Sequence, residues 1–372
     1  MKKLSKIFGI SIILSLFLLL SACGGGGNGG PTCIDNDGDG YGLNCALGPD
    51  CNDAKPLIHP NAPESACNGI DDNCKDGIDE QEVVIFADAN LESAIRTAIS
   101  KPDGDILNSD LCDLNSLNAS IKNISDLTGL EYCTNLTNLS LAENQISDIS
   151  ALANLTNLIK LFLAENQISD ISALANLTNL TNLSLPINQI SNISALANLT
   201  NLTNLSLTYN QISDISALAN LTNLTELELR SNQISNISAL ANLTNLTSLA
   251  LYDNQIINIS ALANLTNLTW LFLAENQIIN ISALANLTNL TWLVLYHNQI
   301  SDISALAGLT NLEYLHLNDN KIADIQALVD NTGIGTDDYV YLRNNLLDPD
   351  DCDEIATLEG RGATVEHDLP CP

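Results

Sequence analysis

Leucines, isoleucines and asparagines return at fixed positions along most of the chain, with polar residues between them. Nine asparagines recur with a spacing of 22 residues: Asn144, Asn166, Asn188, Asn210, Asn232, Asn254, Asn276, Asn298 and Asn320. One copy of the surrounding frame is Leu136, Leu139, Leu141, Asn144, Ile146, Ile149 and Leu152. A fixed period of about 20–30 residues predicts a solenoid of stacked repeats, with a long open surface in place of one globular core.

Each repeat predicts one short strand followed by a tight return. In Leu139-Ser140-Leu141 the two leucines face inward and the serine faces outward. Asn144 ends the strand, and its amide is expected to bond the exposed backbone of neighbouring coils. The return is too short for a long helix, so extended or 3₁₀ turns are expected on the convex side. The strands then form a parallel sheet on the concave side, with a face on the order of 50 Å long.

This pattern resembles the leucine-rich-repeat family, in the 22-residue class of bacterial internalin-like proteins. The resemblance covers about residues 106–347, with nine in-register copies and a degenerate copy at each end. It implies a leucine-rich-repeat solenoid with a curved parallel β-sheet and helical caps at both ends. It also implies a binding role for the sheet face, with a protein partner.

The chain divides by composition into segments with different expected roles. We predict a lipoprotein signal peptide at 1–22, a glycine-rich tether at 23–32, a Cys/Asp-rich metal-binding module at 33–82, an N-terminal cap at 83–116, leucine-rich repeats at 117–347 and a C-terminal cap at 348–372.

The leader combines basic residues with a 14-residue apolar run at 7–20, which is too short to span a bilayer comfortably. The run ends in Leu20-Ser21-Ala22-Cys23, which resembles the bacterial lipobox. That resemblance implies that Cys23 is lipidated, and Gly24 resembles the sorting pattern for outer-membrane delivery. The alternative is an ordinary signal peptide with a chance cysteine. The lipobox predicts a lipid anchor in the cell envelope, at the outer membrane or cell surface. Either alternative predicts export into an oxidising compartment in which cysteines pair.

The caps are predicted from local patterns. Residues 90–99 place Leu91, Ile95, Ala98 and Ile99 on one helical face, with Asp88 or Asn90 as the N-cap. At the other end a short helix is expected to open at Asp348-Pro349 and to end near Gly360.

The cysteines of the caps are candidates for two disulfide bonds. We expect Cys112 to pair with Cys133, which occupies the slot that Leu155 fills one repeat later. Cys352 and Cys371 are expected to staple the closing segment. Of the nine cysteines after Cys23, one is left over.

The module at 33–82 carries the start of a calcium loop. Asp35, Asp37 and Asp39 stand at positions 1, 3 and 5, Gly40 makes the turn, and the carbonyl of Tyr41 stands at position 7. Position 12 is alanine, so Asp50 and Asp53 are the candidates for the missing oxygen ligands.

The stretch from Cys33 to Glu80 resembles a metal-binding-motif family of bacterial surface proteins. This resemblance implies a second acidic cluster at Asp71, Asn73 and Asp79, although Lys75 interrupts the family pattern there. We predict Ca²⁺, because hard oxygen ligands dominate and His59 is the only histidine of the module. The alternative is a solvated acidic linker.

The charge balance limits the partners. The net charge of −31, with 13 basic and 44 acidic residues, argues against nucleic acid and against direct docking on anionic lipid. We expect a monomer that touches the membrane only through its lipid anchor.

The outward strand positions vary while the rest of the repeat is copied. The chain's two tryptophans and several tyrosines fall there in adjacent coils, and such residues are favoured interface anchors. We predict partner binding by Phe162, Tyr209, Tyr252, Trp270, Phe272, Trp292, Tyr296, His297, Tyr314 and His316. The alternatives are neutral drift after duplication, and a carbohydrate in place of a protein ligand.

No recognisable catalytic motif is present, and the sequence predicts that the protein is not an enzyme. His297, His316 and Asp319 could approach each other on neighbouring coils, but two interface histidines are the favoured explanation. A passive envelope scaffold is the remaining class of function.

Overall fold

The structure, a computed structural model, describes residues 33–36, 38, 40–47, 49, 52, 54–55, 58–60, 67, 74 and 81–371. The chain divides into two compact units. The first comprises Met1–Ala62 and Asp72–Lys75, and the second comprises Pro63–Asp71 and Asp76–Pro372. In the first unit, Ile34 and Leu43 form an antiparallel bridge that the disulfide Cys33–Cys45 flanks.

The second unit is built on one curved sheet of twelve parallel strands in chain order. The strands are β1 Ser116–Asn118, β2 Asn138–Ser140, β3 Lys160–Phe162, β4 Asn182–Ser184, β5 Asn204–Ser206, β6 Glu226–Glu228, β7 Ser248–Ala250, β8 Trp270–Phe272, β9 Trp292–Val294, β10 Tyr314–His316, β11 Tyr339–Tyr341 and β12 Thr364–Glu366. The predicted solenoid is therefore confirmed, with one strand per coil.

The register follows from the repeat. Leu139 of β2 lies opposite Leu161 of β3, which in turn lies opposite Leu183 of β4. The middle residue of each strand is buried, and the residues on either side of it face outward. Val294 of β9 lies on the outward face between Phe272 and His316 but is buried there. The returning isoleucines and leucines, such as Ile146 and Leu152, complete a single continuous core.

The repeated asparagine ties adjacent coils together. The amide nitrogen of Asn166 donates to the carbonyls of Leu141 and Leu163, at 3.0 and 3.2 Å. Its side-chain oxygen accepts from the N–H of Ile146 at 3.0 Å. These bonds satisfy backbone groups that the turn would otherwise leave buried and unpaired, as the sequence predicts. The residue before each asparagine has a positive φ, which is 54° at Glu165.

The return of each coil is a short 3₁₀ turn, also as predicted. Its start is capped by an Asp or Asn side chain, as where Asp148 accepts from the N–H of Ser150 at 2.8 Å. The 3₁₀ helices are Asn108–Leu111, Leu130–Tyr132, Ser150–Leu152, Ser172–Leu174, Ser194–Leu196, Ser216–Leu218, Ser238–Asn242, Ser260–Leu262, Ser282–Leu284, Ser304–Leu306 and Pro349–Asp351.

A second asparagine ladder follows the 3₁₀ turn. The amide of Asn179 donates to the carbonyl of Thr156 in the preceding coil at 2.9 Å. The same bond is made at Asn157, Asn201, Asn223, Asn245, Asn267, Asn289 and Asn311. The sequence analysis assigned no role to these residues.

The N-terminal cap helix, α1, spans Ala89–Ala98. Asp88 is its N-cap, since its carboxylate accepts from the N–H of Asn90 and Leu91. Ala94 is buried beside Leu91, whereas Ala98 is exposed, contrary to the prediction. Helical periodicity predicts the direction in which a side chain points. It does not predict how far along the helix the neighbouring part of the protein extends to cover that side chain.

Helix α2, Gln326–Asp330, replaces the 3₁₀ turn of the last coil before the C-terminal cap, and the cap itself contains helix α3, Cys352–Gly360. The short helix predicted after Asp348-Pro349 is present, and Asp348 caps it by accepting from the N–H of Asp350. Beyond α3 the chain adds strand β12, which the sequence analysis did not foresee. Its middle residue, Val365, is buried.

The disulfide bonds correct one expectation. Cys112 is bonded to Cys67, not to Cys133, and Cys74 is also disulfide-bonded. Cys133 is free and fully buried in the leucine slot, where burial raises the pKa of its thiol to about 12. Cys133 is packed as a small apolar core side chain, whereas Cys112 is half-buried and is already bonded to Cys67. Cys352 is bonded to Cys371, the predicted pair.

Within the described residues, no helix has the length and apolar character that would let it cross a membrane.

Candidate functional site

The strand register brings large aromatic side chains into one row on the outward face. Trp270, Trp292, Tyr314 and Tyr339 lie opposite one another on β8 to β11. Trp270 is 51% exposed, Trp292 40% and Tyr339 46%. Parallel strands lie about 4.8 Å apart, so rings on adjacent strands form a continuous surface.

We call this surface the aromatic end, and it has a polar counterpart on the earlier strands. The aromatic end comprises Trp270, Phe272, Trp292, Tyr296, Tyr314, His316, Tyr339 and Tyr341. The polar end comprises the outward residues of β2, β4 and β5, which are Asn138, Ser140, Asn182, Ser184, Asn204 and Ser206.

Several rings of the aromatic end pack on one another. The rings of Trp292 and Tyr314 are stacked, with centroids 4.5 Å apart and planes 13° apart. The ring of Tyr314 also lies 5.2 Å from that of Tyr341. Such contacts restrict the side chains before any ligand arrives, which lowers the entropy cost of binding.

His316 lies at the centre of three tyrosines. Its ring is 4.7 Å from the ring of Tyr296, 6.2 Å from that of Tyr314 and 4.9 Å from that of Tyr341. The resulting desolvation lowers the pKa of His316 below its ordinary value. His316 is therefore a mainly uncharged part of the aromatic surface at neutral pH.

Tyr339 and Tyr341 were missed by the sequence analysis. They flank Val340 on β11 in the same arrangement as the outward residues of earlier strands. The available signal was the fragment Tyr-Val-Tyr-Leu, which repeats the alternation of the leucine frame. The spacing of the repeat asparagines changes from 22 to 25 residues before this coil, so the fragment was not recognised as a further repeat strand.

The second histidine does not join His316 in a catalytic arrangement. His297 is exposed and lies 3.7 Å from a carboxylate oxygen of Asp319, while its ring contacts Tyr296 edge-on. Both histidines thus make contacts expected of an interface.

Tyr209 and Tyr252, predicted as partner-binding residues, are occupied within the chain. The guanidinium of Arg230 lies 4.8 Å from the ring centre of Tyr209 and 5.3 Å from that of Tyr252. Arg230 also donates a hydrogen bond to the hydroxyl of Tyr252. Because guanidinium groups are attracted to ring faces, this stack fixes the three side chains together. Arg230 was not singled out from the sequence.

Phe162 is separated from the aromatic end. It lies on β3, beside the polar end, and its side chain is 37% exposed. Phe272 of β8 is half-buried, and Val294 beside it is buried. The predicted aromatic surface is therefore concentrated on β8 to β11 and the turns after them.

The described part of the predicted calcium loop has the expected turn. Asp35 accepts hydrogen bonds from the N–H of Gly38 and Gly40, at 2.6 and 3.0 Å. Gly40 has a φ of 97°, a conformation that favours glycine. The ring of Tyr41 stacks on that of His59 at 4.8 Å. This arrangement fits the start of an oxygen-ligand loop.

Most other predicted ligands lie outside the described residues: Asp37, Asp39, Asp50, Asp53, Asp71, Asn73 and Asp79. Within the described part, no group of three His, Cys, Asp or Glu side chains is placed to hold a metal ion. The proposed lipidation site, Cys23, also lies outside the described residues.

Comparison with known proteins places the repeats in a family. A family model described as "Leucine Rich repeats (2 copies)" matches residues 134–176, 156–198, 178–220, 222–264 and 288–330. An internalin, inlF, from Listeria monocytogenes is 37% identical, with a TM-score of 0.66 over 77% of this chain and 92% of that one. The chain belongs to the internalin-like leucine-rich-repeat family.

Other matches agree with this assignment. Internalin C2 from Listeria monocytogenes is 39% identical to this internalin-like chain, with a TM-score of 0.52 over 63% of it and 96% of the other. A plant peptide hormone receptor, RGFR1, solved in complex with RGF2, shares the fold at 22% identity and a TM-score of 0.53, over 71% of this chain and 54% of that one.

Outside the repeats, a model described as "Putative metal-binding motif" matches residues 50–80 of the internalin-like chain. The comparison with curated proteins found no match.

Proposed function

We propose that this protein is an envelope-anchored binding protein whose aromatic end contacts a partner protein, as in adhesion. The observation that carries the proposal is the row of rings in register on four adjacent strands, of which Trp270, Trp292 and Tyr339 are exposed and Tyr314 is half-buried. A contiguous apolar surface on a soluble domain is unfavourable in water unless a partner covers it.

The chemistry of the row suits an interface. Trp and Tyr are the side chains that most often dominate binding energy, because they bury large areas with few rotatable bonds. Stacking of Trp292 on Tyr314 holds two of these rings in place. An open strand face also favours an extended macromolecular surface over a small molecule.

Similarity at the level of the fold supports a protein ligand. The plant receptor RGFR1, which shares the fold, was solved in complex with RGF2. A carbohydrate remains the second candidate, because exposed aromatic faces also stack on sugars. A passive scaffold is disfavoured by the concentration of rings on β8 to β11.

The anchor and the metal module complete the proposal. Lipidation of Cys23 would tether the protein to the cell envelope, at the outer membrane if the cell has two membranes. Ca²⁺ held by Asp35, Asp37 and Asp39 would stabilise the module between the tether and the repeats. Membrane release of a Cys23→Ser variant tests the anchor, and calorimetric titration of oxidised protein with calcium tests the module. Unchanged membrane retention, or no calcium heat at millimolar concentration, would count against them.

The binding proposal is tested by Trp270→Ala combined with Trp292→Ala. Truncating a central anchor typically costs about 2 kcal/mol, which is roughly thirtyfold in affinity for each ring. We therefore expect the double variant to lose capture of the partner in an unbiased pull-down, with its circular dichroism and melting curve nearly unchanged.

The matched control is Asn182→Ala combined with Asn204→Ala, which alters the same strand position at the polar end. It should capture the partner as well as the parent protein does. Equal capture by the tryptophan variant would show that the functional face lies elsewhere.

A further inference from the structure

Acidic residues follow one edge of the aromatic end. Asp253, Glu275 and Asp319 each stand immediately before a repeat asparagine, with φ values of 56°, 52° and 56°. Asp253 and Glu275 are exposed, and Asp319 is half-buried. His297 occupies the same position in the coil between Glu275 and Asp319. This edge therefore carries three carboxylates and one imidazole on four successive coils, and its side-chain charge is mainly negative.

Further carboxylates stand at the opposite edge. Glu313 immediately precedes Tyr314, and Asp338 immediately precedes Tyr339. Glu313 is exposed and Asp338 is half-buried. The rings of the aromatic end thus lie between two acidic edges.

In the described part of the chain, few ion pairs involve the carboxylates of these edges, and Arg343 pairs with Glu366 of β12. Among the residues that the structure describes, Asp319 pairs with His297 at 3.7 Å, while no ion pair involves Asp253, Glu275 or Glu313. The carboxylates also affect the ionisation of a tyrosine that lies between the two edges. The pKa of Tyr296 is raised first by burial and then by the negative charge of Glu275.

The chain itself shows that this face accepts a guanidinium. Arg230 is held between the rings of Tyr209 and Tyr252, at 4.8 and 5.3 Å from their centres. Trp faces attract cations more strongly than Tyr faces do. The exposed rings of Trp270 and Trp292 offer such faces to an incoming side chain.

We propose that the occupant of the aromatic end is a protein segment with apolar side chains flanked by lysine or arginine. Its apolar side chains would cover the rings, while its cationic groups would meet Asp253, Glu275 and Glu313 at the edges. This arrangement matches the usual anatomy of an interface, with an apolar centre and a charged rim that sets specificity and association rate. The inference rests on the proposed function and adds the chemistry of the partner.

The chain provides its own optical probe for a test. Trp270 and Trp292 are its only tryptophans, so tryptophan fluorescence of the full protein reports on the aromatic end alone. Three tryptophan-free peptides separate the contributions: Lys-Lys-Phe-Phe-Lys-Lys, Gln-Gln-Phe-Phe-Gln-Gln and Lys-Lys-Gly-Gly-Lys-Lys, each with blocked ends. We expect the first to bind about tenfold more tightly than either of the others, and its advantage over the glutamine peptide to shrink as salt is raised.

Matched variants locate the charge effect. Asp253→Asn combined with Glu275→Gln should weaken binding of the lysine–phenylalanine peptide roughly fivefold, since exposed charge pairs are individually weak. Glu143→Gln combined with Glu165→Gln alters the same coil position, with φ values of 56° and 54°, beside the polar end. This control removes the same net charge and should leave binding unchanged.

The outcomes separate this inference from the proposed function. Equal binding of the lysine and glutamine peptides would overturn the assignment of a cationic rim and leave the aromatic interface standing. An equal loss in both pairs of variants would overturn it as well, because nonspecific attraction to an acidic protein would then suffice. A fluorescence response to a neutral hexasaccharide, with none to any peptide, would overturn both the cationic partner and the choice of protein over carbohydrate.

Discussion

From β2 to β10, the polar end and the aromatic end share one repeated backbone and differ in the side chains that it presents. Asn182 and Trp270 occupy the same position in coils that are four repeats apart, and the leucines beneath them are buried alike. The asparagine ladder also runs unchanged through both ends. The comparison teaches that the repeat frame carries stability, whereas the outward positions are free to carry recognition.

The stack of Arg230 with Tyr209 and Tyr252 lies between the two ends. It is made of outward residues, yet these residues bind one another through cation–π contacts and a hydrogen bond within the chain. Exposure of an aromatic residue in a repeat therefore does not by itself identify a binding position. What distinguishes the aromatic end is that its rings lie on adjacent strands and that Trp270, Trp292 and Tyr339 among them are exposed.

The largest effect is expected where the shared frame is broken. Asn166→Ala beside the polar end and Asn276→Ala beside the aromatic end each remove one side chain that bonds three carbonyls and one backbone N–H. A buried polar group left without a partner costs about 1–3 kcal/mol, so each variant should lose on the order of 3 kcal/mol of unfolding free energy.

Urea unfolding followed by circular dichroism measures both losses. We expect the two losses of unfolding free energy to agree. The two asparagines bond equivalent backbone groups in their own coils and are equally buried. A loss confined to one variant would show that the ends differ in more than their outward side chains.

A smaller effect distinguishes the environments above the frame. His316 should titrate below the ordinary histidine pKa of about 6.5, because the surrounding tyrosines desolvate its ring. The unfolded chain then binds this proton more readily than the folded chain. Folding stability should therefore fall as pH drops below about 6.5, until the lower folded-state pKa is passed.

Proton NMR titration of His316 checks this expectation. The matched comparison is Ser184→His, which places an imidazole at the equivalent strand position of the polar end, without tyrosine rings around it. Its pKa should lie above that of His316. Equal values would show that the tyrosine cluster does not desolvate its central residue.

The candidate site was predictable only in part. Trp270, Trp292 and Tyr314 could be placed in one row because a residue's position in a 22-residue frame gives its strand and its face. Tyr341 could not be placed with them, because the spacing changes from 22 to 25 between Asn320 and Asn345. The role of Arg230 was equally hidden, since which outward side chains meet depends on rotamers across coils.

The sequence by itself determined the solenoid. An exact repeat of leucines and asparagines leaves few ways to bury every leucine and to satisfy every asparagine amide, so strand, turn and stacking direction follow from the pattern. Tertiary structure alone decided that Cys112 bonds Cys67, that Cys133 stays a buried thiol and that β12 closes the sheet. These features lie at the two ends of the repeat array, where the period breaks down and contacts depend on how unlike segments pack against the outermost coils.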